Sequence, residues 1–216
     1  DSVAMGVRAT ASGNQSMALG TNTLASGTNA TAIASNATAQ GANAVALGVF
    51  ANASALSALA FGTNALANGI NATAIASNAT ATGNNSIAIG VYSSARQANA
   101  QAFGVNASAN GTNAVAIAAN AYANGINSMA IGVDSDATQT NSVAVGTLAQ
   151  ATGVGALAFG ANAQATDVDT MAFGVNSSAT AANATAIGRS SPGSISTSTT
   201  SFKLCTESND SARHTP

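Results

Sequence analysis

The chain has no tryptophan, one cysteine, one histidine, two prolines, and only 6% charged and 4% aromatic residues over 216 positions. Each scarcity excludes something. A lone Cys205 rules out an internal disulfide framework and a cysteine-based zinc site, and a lone His214 removes most metal and triad chemistry. Five basic residues against seven acidic ones, a net charge of −2, give no basic footprint for a phosphate backbone, so nucleic acid is not an expected partner. There is no run of eighteen apolar residues, and the chain opens on Asp1-Ser2 rather than on a basic start to an apolar stretch. Neither a membrane-spanning helix nor a signal peptide is therefore expected in this segment, nor contact with a membrane.

What the chain has in abundance is Ala, Asn, Ser, Thr and Gly, arranged with a strict period. A unit small-x-Ala-apolar-Gly begins at Ser2 and recurs every fourteen residues to Ala184, fourteen copies without insertion or deletion. Its third position is Ala in every copy, from Ala4 to Ala186. Each unit splits into halves of seven, because Ala recurs at Ala11, Ala25, Ala39 and onward to Ala179, and Asn commonly fills the seventh place of either half. Five alternating residues followed by Gly and Asn spell a short strand closed by a tight turn. A heptad coiled coil shares the period of seven, but the small residues here lie two apart, and repeated helical glycines would cost about 1 kcal/mol each. Phase-locked positions over fourteen copies also argue against disorder. Two strands and two turns per unit describe one rung of a β-solenoid, and fourteen rungs at about 4.8 Å would stack to roughly 65 Å.

Side chains alternate across a strand, so one of two sets must fill the hollow. If the larger set pointed inward, Arg96, Asp136, Gln150 and Gln164 would lie in the core, at several kcal/mol for each isolated charge. The Ala columns are therefore expected inside. That choice puts a ladder of large apolar side chains outside: Met5, Leu19, Ile33, Leu47, Phe61, Ile75, Ile89, Phe103, Ile117, Ile131, Val145, Phe159, Phe173 and Ile187. At about 2 kcal/mol per side chain, some 28 kcal/mol would be available to association. The ladder is expected to be an oligomer interface, shared by parallel in-register copies about an axis along the solenoid, with the polar second strand facing water.

The units Asn85-Ser86-Ile87-Ala88-Ile89-Gly90 and Asn127-Ser128-Met129-Ala130-Ile131-Gly132 resemble the Asn-Ser-x-Ala-apolar-Gly repeat of YadA-like heads in trimeric autotransporter adhesins of Gram-negative bacteria. The resemblance covers residues 1–189. It implies a left-handed parallel β-roll, a homotrimer, and an exposed head on the cell surface that binds host matrix or a cell-surface receptor, collagen among the candidates. In collagen-binding members the motif extends to a serine three places beyond the glycine. The matches here end at Ser93 and Ser135, so the resemblance implies ligand binding at Asn85 to Gly90 with Ser93, and at Asn127 to Gly132 with Ser135. The anchor of such a protein is not in this chain, and residues 190–216 read as an aperiodic, flexible Ser/Thr-rich tail.

No catalytic group, cofactor or metal is expected. Asp134 with Asp136, and Asp167 with Asp169, lie two apart, which without further oxygen ligands reads as solvated surface. Asn-x-Ser/Thr sequons at Asn29, Asn36, Asn52, Asn71, Asn78, Asn106 and Asn183 are products of the repeat, and the Asn columns read as structural ladders at the turns. Two other functions compete with adhesion. A passive spacer or fibre segment needs only the solenoid, and an ice-binding surface needs a regular hydroxyl array that Thr10, Leu24, Asn52, Tyr122 and Asp136 do not make. Finally, Asn29 to Ala39 recurs unchanged at Asn71 to Ala81, marking a longer period of forty-two residues, or three rungs.

Overall fold

The structure is a computed structural model that describes residues 1–189, with the backbone of Pro192–Gly193 and Lys203–Leu204. Its regular structure is all strand, in two parallel sheets. A wide sheet of fifteen strands starts with Val3–Met5 and takes the first half of each unit. A narrow sheet of fourteen strands starts with Thr10–Ala11 and takes the second half. Each strand pairs with its equivalent one unit on, Val3 with Met17, Ala4 with Ala18, Met5 with Leu19, and so up the stack. This is a parallel β-solenoid whose rung is the fourteen-residue unit. The last two strands fall within 190–216, the segment read as a tail: Pro192–Gly193 pairs with Ser178–Ala179, and Lys203–Leu204 with Ala186–Ile187. The flexibility expected of that tail concerns residues that otherwise lie outside those described.

The hollow between the sheets is filled almost entirely by methyl groups. Ala32, Ala39, Ala74, Ala81, Ala102 and Ala109 have 0% accessible surface, as do most of their equivalents. With so little side chain between them the two sheets approach closely, and shape rather than bulk holds the core together.

Nearly all the corners use the same device, with the Thr23 and Thr170 hydroxyls donating back three residues at two of them. The amide after the corner donates back three residues, as Ala30 N–H does to Gly27 O (3.1 Å), and the residue before it is left-handed. That places a positive φ at the third turn position, the requirement of a type II turn and a place where Asn is favoured among residues with a side chain. Asn22, Asn29, Asn36 and Asn43 have φ between 55° and 59°, which explains why Asn is the commonest residue at the seventh place of the half-unit. The corners are also hydrogen-bonded from rung to rung: Asn22 N–H donates to Val7 O (2.8 Å) and Asn29 N–H to Asn14 O (2.8 Å), so the backbone ladder runs around the bends.

Candidate functional site

Alanine fills the space between the sheets, so the candidate site is the outer surface of the roll. On the wide sheet the second and fourth unit positions point outward, and the apolar ladder lies where the alternation requires. Its members are not free-standing. Leu19, Ile33, Leu47, Ile75, Ile89, Phe103, Ile131, Val145, Phe159, Phe173 and Ile187 are half-buried, each in register with the equivalent residue one rung away, while Met5 remains 64%, Phe61 48% and Ile117 37% exposed. Phe159 and Phe173 show the mode of contact, stacked with ring centroids 5.0 Å apart and planes 2° from parallel. The association energy left in the ladder is therefore below the sum obtained by treating every side chain as bare. It still forms a continuous apolar strip along the wide sheet, flanked by Met17, Met129 and Met171.

The residues expected from the resemblance to bind ligand divide into two groups. Ser86, Ala88, Ser93, Ser128, Ala130 and Ser135 have at most 1% accessible surface and face the hollow. The Ser93 hydroxyl donates to Gly90 O (2.7 Å) and that of Ser135 to Gly132 O (2.8 Å), fixing the corner from inside. Gly90 and Gly132 hold φ at 133° and 136°, where side chains are strained, and a Cβ on Gly90 would stand 2.3 Å from Gly104 O. These eight residues shape the rung. Those that a partner could touch are Ile87, Ile89, Met129 and Ile131, which join the apolar surface of the wide sheet, and Asn85 and Asn127 at the corner.

Asn85 and Asn127 belong to a side-chain ladder. From Asn71 through Asn85, Asn99, Asn113 and Asn127 to Asn141, each Nδ2 donates to the Oδ1 one rung on, at 2.9–3.4 Å. The opposite corner carries shorter runs, Asn106 to Asn120 (3.3 Å) and Asn120 to Asp134 (2.9 Å) among them. A row of amides aligned this way polarises its own hydrogen bonds.

On the narrow sheet the outward residues are polar and mixed. Asp136 is the one carboxyl there with a displaced pKa. Burial beside its neighbours first, and repulsion from Asp134 second, hold it above its ordinary value of 3.8. Among the described residues no group of three or more His, Cys, Asp or Glu is placed to hold a metal ion, and no helix is long and apolar enough to cross a membrane.

Residue-by-residue reading of the sequence missed the corners. Val7, Val49, Phe50, Val91, Tyr92, Val133, Leu148 and Val175 protrude from the first corner, Leu56, Ile70, Ile126, Val154 and Val168 from the second, all 38–68% exposed. The signal was available in the forty-two-residue period: Val7, Val49, Val91, Val133 and Val175 are one column of it.

Uniform fourteen-residue rungs, an alanine interior, asparagine-rich corners and an outward apolar ladder define a repeat-built parallel β-roll. A family model, the YadA head domain repeat (2 copies), matches residues 1–23, 25–51, 39–65, 53–75, 67–93, 95–117, 123–149, 151–174 and 168–191. The chain belongs to the YadA head repeat family. Among solved structures it is similar to the collagen-binding domain of the Yersinia adhesin YadA, at 25% identity over 81% of this chain and 80% of that one, with a TM-score of 0.41. A comparison with curated proteins finds no match.

Proposed function

We propose that this chain is the head of a bacterial surface adhesin, assembled as a parallel in-register homotrimer and binding host matrix or a cell-surface receptor through many stacked rungs. The observation that carries the reading is the outward apolar ladder from Leu19 to Ile187 in a chain whose interior is already filled by alanine. A strip of that length is a cost in a solitary molecule and an asset between copies. Closed cyclic symmetry covers every ladder and leaves none to nucleate fibres. The family supplies the number three and the exposure at the cell surface. Binding is spread over repeated, individually weak contacts, with avidity from neighbouring identical chains. Collagen is the first ligand to try, because Asn85 to Ser93 and Asn127 to Ser135 carry the extended motif, with Asn85, Ile87 and Ile89 as its accessible part. The chain's low charge leaves little electrostatic steering.

Light scattering on the parent and on Phe103→Asp tests the assembly: a trimer mass that falls in the variant supports it, and a monomeric parent refutes it. Solid-phase binding to collagen, fibronectin and intact host cells tests adhesion. An oligomer inert towards all three would be a spacer.

A further inference from the structure

The corner residues carry information that the ladder does not. At the first corner the left-handed position is Asn in most rungs, at Asn22, Asn36, Asn64, Asn78, Asn106, Asn120, Asn162 and Asn176. Phe50 and Leu148, like Tyr92 in a rung whose other corner carries only Ala98, replace it with φ of 59° and 58°, a backbone region that large side chains occupy at a disadvantage. Neither can join the amide ladder, and both stand in the open, 57% and 50% exposed. An unfavourable conformation kept for a large apolar side chain that stays half in the open points to a partner.

The second corner of the same two rungs identifies it. There Phe50 is followed by Leu56, 48% exposed, and Leu148 by Val154, 44% exposed. Within one roll these residues lie on opposite edges, separated by the width of the narrow sheet, about 16 Å for five extended residues. They cannot meet inside the chain. In a ring of parallel copies whose wide sheets face a common axis, the first corner of one protomer meets the second corner of the next at the same height. Phe50 then meets a neighbour's Leu56, and Leu148 a neighbour's Val154. The contact is continuous with the apolar ladder, since the first corner directly follows it in each rung.

We infer that Phe50 with Leu56, and Leu148 with Val154, form two apolar clasps between adjacent copies of this chain, closing the seams of the ring and setting its register. This rests on the oligomeric reading above. The contact is heterologous, so each residue meets a different residue of its neighbour.

The test is disulfide trapping in a Cys205→Ser background. Phe50→Cys with Leu56→Cys, and separately Leu148→Cys with Val154→Cys, are oxidised and run on non-reducing gels, with each single-cysteine variant alongside. The expected result is covalent closed oligomers from both double variants and none from the singles. An oligomer by light scattering that gives no cross-link in either pair overturns the clasps while leaving the assembly standing. Efficient cross-linking of Phe50→Cys alone also overturns them, since it would place like edges together. A monomeric parent removes the assembly itself and the clasps with it.

Discussion

The fifth unit position offers a quantitative test of how tightly the rungs are drawn together. It is Gly in most rungs, with φ of 131–138° from Gly6 to Gly174, but Ala34, Ala76 and Ala118 hold the same corner at 96°, 105° and 101°. The backbone has turned by some 30° to admit one methyl group, and each alanine has Gly immediately above and below it in the stack. Residues in such sparsely populated regions cost of order 1–3 kcal/mol. The greater freedom of glycine in the unfolded chain returns about 0.4–1 kcal/mol of that difference. Replacing Ala76 by Gly should therefore stabilise the roll by about 1 kcal/mol. Replacing Gly90 by Ala should destabilise it by more, because its Cβ would start 2.3 Å from Gly104 O and 2.6 Å from Gly104 C, and because the rung below already carries Ala76. In a solenoid such effects act between nearest neighbours. Thermal unfolding by circular dichroism, with hydrogen exchange to locate the change, should show the Gly90→Ala damage centred on residues 76–118. A Gly90→Ala protein as stable as the parent would refute the claim that positive φ and close stacking select glycine here.

Three further outcomes follow from the interior and the polar face. Ser86 and Ser128 have buried hydroxyls without a partner, whereas Ser142 donates to Gln139 O at 2.6 Å, so Ser142→Ala should cost about 1 kcal/mol while Ser86→Ala is neutral or stabilising in chemical denaturation. Ala102→Leu, at 0% exposure between the sheets, should destabilise by at least about 1–3 kcal/mol through overpacking, measured the same way. Asp136 has a folded pKa above its ordinary 3.8, so its ionised form is disfavoured by folding, and its contribution to stability should improve as pH falls through the range just above 3.8. Asp136→Asn should raise the melting temperature at pH 7 and flatten that part of the pH profile.

Much of the fold was legible because alternation and charge together decide which set of side chains is inside. Arg96 and Asp136 could not be buried, so alanine had to be, and the fourteen-residue register between strands followed from the repeat. The amide ladder was legible in kind, since Asn at a corner suggests both left-handed backbone and stacking. Three things were not legible. Half-burial of Ile89 or Phe103 depends on contact between successive rungs, which a list of outward positions does not measure. The inward orientation of Ser93 and Ser135 divides the repeat motif into scaffold and surface, a distinction that motif matching does not draw. The corner residues Phe50, Leu56, Leu148 and Val154 were hidden because the turn was read for its Gly and Asn, and exceptions to that consensus were passed over.

The equivalence of the two alanine columns makes the interior blind to a shift of half a unit. Losing seven residues from the gene product would leave every methyl group in the hollow where it was, yet exchange the greasy and the wettable exterior from that rung onward. Losing fourteen would shorten the rod by one step and keep both exteriors aligned. Length is thus adjustable in whole turns, which keep each glycine of φ 131–138° at the first corner and each three-residue strand in the wide sheet.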